Sequence, residues 1–438
     1  MTQPDSRRDA HRTGRFVVAW RAAAPYRPLM VLMLVSSTAS FAALGVLSLF
    51  ARDELGASDT MVTLNFVVVA LASMAVLLAT GHVSDLGGVR RLLIPASLAW
   101  LSIGYAVLAS VRTYPAMLAV GVAFFCAVGV PNAQLMAYAR DLVERRDDTA
   151  TSTAVIAMMR VVLSIGSFTG FALGGLGLAY LGARPLFRVV AVVCLGCLAL
   201  SWYLLRGHAT GASAAPHPHR STDEQRDAQP RTVGGQWLLL VLVVVMVLFT
   251  SGRVMLLSQL PILVTVSLHA PLQMTGIVLA LPPLCELVLM PAAAFAALRW
   301  GRGKVFLVGG AASVVYYGGL VVVATPGQLM LLQVGYAVFG AATIVAGIDL
   351  AQRLMSGHAG RATSVYLSHE NVATVNGSLV ATLSVATLGH QVGFVVPGAL
   401  CLIALALATW AFVRYPDTFD LRRGRPREPR PRIPAATA

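Results

Sequence analysis

The sequence predicts an all-α integral membrane protein of twelve transmembrane helices arranged as two pseudo-symmetric six-helix bundles. Three observations carry that expectation. Of the 438 residues, 57% are apolar and only 12% charged, about half the charge of a soluble fold. The apolar residues are gathered into long blocks separated by short arginine-bearing connections, and a block of about 18 or more such residues is what a helix needs to cross ~30 Å of hydrocarbon. The longest polar gap falls midway along the chain, with six blocks on either side. Peptide groups facing lipid must be paired within their own segment, so blocks of this length are helices. Barrel strands would alternate in polarity, and these blocks do not.

Residues 1–27 form a polar tail with arginines at Arg7, Arg8, Arg12, Arg15, Arg21 and Arg27. The apolar block that follows is far longer than the about 7–15 residues of a signal-peptide core, so it is read as a retained span. Spans are expected at 28–50, 61–80, 92–111, 115–137, 150–173 and 185–205, making a first bundle over 28–206. A second bundle over 236–414 holds spans at 237–257, 274–298, 305–324, 328–350, 363–388 and 392–413. Between them, 207–235 is rich in Pro, His, Asp and Arg and reads as a flexible linker, and 415–438 as a basic tail near anionic headgroups. Every second connection is basic: Arg90 and Arg91, Arg145 and Arg146, Arg220 to Arg231, Arg299 to Lys304, Arg353 and Arg361, and the two tails. The opposite connections hold little beyond Arg52, Arg112 and Arg184. Cationic loops stay in the cytoplasm, which puts both termini there and makes the number of spans even.

Composition also excludes function classes. The net charge of +14 is dispersed among connections and tails, unlike the clustered basic patch of a nucleic-acid binder. Cys126, Cys194, Cys197, Cys285 and Cys401 all lie in apolar blocks and read as small hydrophobes. The linker histidines His208, His217 and His219 read as solvated filler, so no metal and no cofactor are expected. No G-x-x-x-x-G-K-[ST] stretch is present, which leaves an ion or solute gradient as the energy source. A membrane enzyme needs acidic or histidine residues clustered at one membrane face, and the chain has no such cluster.

Charged side chains at membrane depth cost several kcal/mol unless paired or hydrated, so each is expected to face a bundle interior. Arg160, Arg253, Glu286, Asp349 and Glu370 are such residues. For each, static ion pairing between helices competes with a role in transport, most strongly for Asp349 at the end of the tenth span. Neutral hydrogen-bonding groups come from Ser36, Ser37, Thr38 and Ser40, Asn132 and Gln134, Gln259, and His369, Asn371 and Asn376, with Tyr336 and Tyr366 as aromatic faces. Serine and threonine also serve as small packing residues between membrane helices.

The two halves echo each other. Gly88-Val89-Arg90-Arg91 aligns with Gly301-Arg302-Gly303-Lys304, and Thr149-Ala150-Thr151-Ser152 with Arg361-Ala362-Thr363-Ser364, at nearly equal spacing. A parallel repeat of this kind places a solute cavity between the bundles near midplane. The stretch Gly81-His82-Val83-Ser84-Asp85-Leu86-Gly87-Gly88-Val89-Arg90-Arg91 resembles the loop signature between the second and third spans of the major facilitator superfamily. Three further stretches resemble the bacterial sugar efflux transporter family within it. They are Gln134-Leu135-Met136-Ala137-Tyr138-Ala139-Arg140-Asp141; Arg160 with Ser164 and Gly170; and Gly357 to Gly360 with Ala362-Thr363, Tyr366 and Gly377-Ser378. Glu286 falls where that family carries a glutamate in span eight. One departure is Asn371, which stands where the family tends to carry an arginine.

The resemblance implies a secondary active transporter that exports a sugar or sugar analogue by alternating access, with proton antiport, from a bacterial inner membrane, and acts as a monomer. On that reading Asn132, Gln134, Arg160, Gln259, Tyr366, His369, Asn371 and Asn376 bind the solute. Glu286, then Glu370, carries the proton, with His369 as an alternative titrating group. Gly81, Asp85, Gly88, Arg90, Arg91 and Arg140 form a gating latch on the cytoplasmic side. The alternative on the same fold is a drug or antibiotic exporter, which calls for an aromatic-rich cavity; aromatic residues are 8% of this chain.

Overall fold

The computed structural model describes residues 26–84, 90–144, 149–206, 233–355, 362, 365–416, 418 and 419. The N-terminal tail before Tyr26, most of the linker, most of the C-terminal tail, and Asp85 and Gly88 lie outside the described residues. Among the described residues, eleven helices are long and apolar enough to cross a membrane, and a shorter apolar helix, Leu92–Leu108, brings the number to twelve. In chain order we number them α1 (Arg27–Glu54), α2 (Asp59–Ser84), α3 (Arg90–Leu108), α4 (Tyr114–Ala123 continued by Val130–Glu144), α5 (Thr149–Leu181) and α6 (Ala183–Arg206). The second set is α7 (Val233–Thr250 continued by Arg253–Ile262), α8 (Leu272–Trp300), α9 (Arg302–Val322), α10 (Pro326–Leu354), α11 (His369–Leu388) and α12 (Val395–Arg414). An even number of passes returns the chain to the side where α1 begins, called the terminal face below; the opposite side is the distal face.

Local chemistry starts and stops these helices. Proline occupies the first turn of α1, α4 and α10, where no intrahelical N–H is needed. At α10 a capping box adds to it: Thr325 Oγ1 accepts from the Gln328 N–H (3.3 Å) and Gln328 Oε1 accepts from the Thr325 N–H (3.2 Å). Helix α5 runs to Leu181, eight residues beyond the expected end at 173. Its glycines are therefore contact points and do not end the helix. A Cβ on Gly170 would stand 2.6 Å from the Thr38 carbonyl oxygen, and one on Gly174 2.4 Å from that of Ala42, so α5 lies directly against α1. The Thr38 and Thr169 hydroxyls bond across the same seam at 2.8 Å.

Within each half, α1 packs on α5 and α6, α3 on α6, α8 and α9 on α10, and α7 and α9 on α12. The halves meet chiefly along α5 against α8 and α2 against α11, with the second segment of α7 also lying on α2 and on the end of α1. At the first, Gly175 and Gly276 bring backbones together, a Cβ on Gly175 falling 2.6 Å from Gly276 Cα. Both residues lie in the distal half of their helices.

Candidate transport site

The functional centre begins with two interrupted helices. Helix α1 breaks at Gly45–Val46 and α7 at Ser251–Gly252, corresponding helices of the two halves, and both finish in a π-helical turn, Phe50–Glu54 and Leu263–Ser267. Breaks in a spanning helix are tolerated where the freed backbone is covered by protein or lines a cavity. Asn376 Nδ2 of α11 donates to Ser251 Oγ (2.6 Å), which itself donates to the Val247 carbonyl (2.6 Å), so α11 stitches the α7 break. Arg253 is the first residue beyond it.

Arg253 Nη1 stands 3.5 Å from Glu370 Oε2 of α11, and the two side chains are 58% and 53% exposed. Both line a cavity of about 390 Å³ between the halves, within the usual size range of small-molecule sites. Its walls differ in character. Helices α1 to α4 contribute Leu44, Phe66, Met74, Leu77, Tyr105 and Phe125, with Ser40, Asn65 and Ser73 as polar points. Helices α7 and α11 contribute Thr250, Arg253, Glu370, Asn371 and Thr374. Arg253 also lies in electrostatic reach of Tyr336 and Glu286. The Arg253–Glu370 ion pair is thus the charged feature of the cavity wall, open to a polar solute.

The residues expected to bind solute or carry protons fall in different places. Asn371 and Glu370 line the cavity with Arg253. Glu286 is half-buried and is not among the cavity-lining residues, its Oε1 lying 2.6 Å from the place a Cβ on Gly340 of α10 would occupy. Tyr366, His369, Gln259 and Asn376 are tied into helix contacts. The Tyr366 hydroxyl donates to the Thr343 carbonyl of α10 (2.9 Å), His369 Nδ1 meets the Tyr366 carbonyl (2.6 Å), and Gln259 bonds to α2. Arg160 is exposed on α5 and is not among the cavity-lining residues. Asn132 and Gln134 on α4 keep buried carbonyl oxygens without a hydrogen-bond partner. Gly81, Arg90, Arg91 and Arg140 fall in helices, while Asp85 and Gly88 lie outside the described residues. Asp349 pairs with Arg302 across the terminal ends of α9 and α10 and, at 3.8 Å, with Arg353 one turn along α10.

Sequence reasoning passed over Asn65. It is 1% exposed, belongs to the cavity wall, and its Oδ1 has no hydrogen-bond partner. A lone amide in the otherwise apolar stretch after Met61 was the available signal, since a buried amide costs energy unless something bonds to it.

Residues 29–262 and 242–437 both match the profile of the Major Facilitator Superfamily. The chain belongs to that superfamily. Among individual relatives, this facilitator is 26% identical to sugar efflux transporter A of Escherichia coli (strain K12) over 386 residues, 87% of this chain and 95% of that one. It is 25% identical to sugar efflux transporter A of Dickeya chrysanthemi over 384 residues, 87% and 94% of the two chains. The crystal structure of nucleoside transporter NupG superimposes with a TM-score of 0.69 at 14% identity, over 89% of this chain and 98% of that one, a likeness of fold. As a facilitator the protein is a multi-pass membrane transporter of small solutes, and not an enzyme.

Proposed function

We propose that this facilitator exports a sugar or sugar analogue in exchange for protons, working as a monomer in a bacterial inner membrane with the terminal face in the cytoplasm. The observation that carries the reading is the Arg253–Glu370 pair, open to a cavity between halves that meet distally. A polar solute leaving water needs hydrogen-bonding groups in return, and Arg253, Asn371, Thr250 and Thr374 stand on one wall to supply them. The bundles 28–206 and 236–414 rock about this site, with the 207–235 linker spanning them. Glu286 and Glu370 take the proton alternately with solute. Gly81, Asp85, Gly88, Arg90, Arg91 and Arg140 latch the cytoplasmic side when the cavity faces outward. The sugar efflux relatives support the solute class, and the basic connections support the orientation.

A second reading rests on the greasy wall built from Phe66, Met74, Leu77 and Phe125, which suits an amphipathic drug. Uptake of radiolabelled lactose, glucose and non-metabolised glycosides into inverted vesicles, with and without an imposed proton gradient, separates the two. Saturable, gradient-dependent sugar uptake is expected, reduced roughly tenfold or more in Glu286→Gln. Movement of a cationic dye with no sugar uptake replaces the sugar reading with drug export, and wild-type transport by Glu286→Gln removes that residue from coupling.

A further inference from the structure

Beside the Gly175–Gly276 crossing, a second distal contact between the halves gathers at Asp59, the first residue of α2. Gln259 of α7 donates through Nε2 to the Asp59 carbonyl (3.2 Å) and to Thr63 Oγ1 (2.7 Å). His390, in the turn between α11 and α12, meets the Asp59 carboxylate through Nδ1 (3.2 Å) and Ser267 Oγ at the end of α7 through Nε2 (2.8 Å). The turn that presents the ring needs glycine: Gly389 closes α11 at φ +80°, a conformation that side chains with a Cβ rarely adopt. The imidazole therefore touches both halves, one ring nitrogen on each.

We propose that the His390–Asp59 contact is a proton-sensitive latch on the distal ends of the two halves, a second proton site distinct from the cavity carboxylates. Neutral histidine with its hydrogen on Nδ1 donates one hydrogen bond to the Asp59 carboxylate; imidazolium adds a full positive charge to the same contact and makes it an ion pair. Protonation thus favours the arrangement in which the ring lies against Asp59. Histidine is the side chain whose charge changes between about pH 5 and 8. The pair is reachable by protons, with Asp59 and His390 side chains 27% and 24% exposed. Charged and titratable groups on the surrounding segments are Arg52, Asp53 and Glu54 at the end of α1 and His269 after α7. Of these, Arg52 reaches Asp59, at 3.9 Å. Arg52 belongs to the same half as Asp59. When the imidazolium loses its proton, Asp59 retains a cation from its own side as the halves separate.

The latch stands apart from solute identity; only its place in the cycle, where external acid returns an emptied carrier to its distally closed state, rests on the orientation proposed above. The test is a distance measurement in the full-length protein, reconstituted in nanodiscs with its five native cysteines replaced. Spin labels go on Ser110→Cys and Ala324→Cys, exposed distal positions of the first and second halves. Lowering the pH from about 8 to about 5 is expected to raise the ratio of short to long distances roughly fivefold. His390→Gln, which keeps a hydrogen-bonding group, is expected to abolish that response. Gln259→Ala lowers the short-distance fraction at both pH values and keeps the response. Should His390→Gln misfold, Asp59→Asn serves in its place with the same expected loss of response. A pH response undiminished in His390→Gln or Asp59→Asn, or absent from the parent protein, overturns the latch. Failure of the sugar assay leaves these distances unaffected, so the two readings fail separately.

Discussion

At the scale of single residues, depth in the membrane is a poor guide to role, because a polar side chain there has two ways to avoid its desolvation cost. It faces a cavity or it bonds to a neighbouring helix. Glu370 takes the first course, half-exposed beside Arg253; Tyr366 takes the second, 0% exposed with its hydroxyl on the Thr343 carbonyl. Only two positions separate His369 from Asn371, yet one is buried and bonded to a backbone carbonyl while the other lines the cavity. The contrast makes a paired prediction. Glu370→Gln is expected to lower transport roughly tenfold or more while shifting stability by less than about 1 kcal/mol, as for other accessible ion pairs. Tyr366→Phe is expected to cost about 1 kcal/mol of stability and to leave the apparent solute affinity unchanged. Thermal unfolding in detergent beside vesicle transport checks both; the reverse assignment would move the site from the Arg253 wall to the α10–α11 contact.

Among the elements, α5 does most to set the architecture. One edge, Gly166, Gly170 and Gly174 at four-residue spacing, lies on α1, while Gly175 meets Gly276 of α8 in the other half. A side chain added on the first edge strains the interior of one bundle; one added at Gly175 strains the contact between bundles. Overpacking of this kind costs about 1–3 kcal/mol. Gly170→Leu is therefore expected to reduce the yield of folded protein, whereas Gly175→Val is expected to be recovered folded with a reduced transport rate and a smaller population closed on the distal side. Size-exclusion profiles with transport rates distinguish the two. The glycines also explain why α5 runs past its expected end, since a glycine-rich stretch reads as an ending until the partner backbone is known. The breaks in α1 and α7 escaped the sequence for a related reason. Gly45 and Gly252 look like ordinary membrane glycines, and the interruption is held by groups far along the chain, such as Asn376 on Ser251.

For the whole molecule, the matching breaks and π turns of α1 and α7 express the repeat that the Gly-Arg connections announce. The distal contacts through Gln259, His390 and the Gly175–Gly276 crossing place the structure in a distally joined arrangement with its charged pair open to the cavity. The proposed orientation makes a direct prediction. A membrane-impermeant thiol reagent is expected to label Ser110→Cys in intact cells, and Trp300→Cys only after permeabilisation; the opposite pattern inverts the assignment of faces. The number of spans, their approximate limits, the duplicated plan and the family were legible from the chain alone. Each follows from local composition: a segment must be apolar over its whole length to lie in lipid, and arginine marks its ends. Which of the polar residues line the cavity, that Asn65 is one of them, and that Asp59 and His390 meet across the halves were decided only by tertiary structure. Those facts depend on helix rotation and on contacts between residues hundreds of positions apart, and the pattern along any one segment does not encode them.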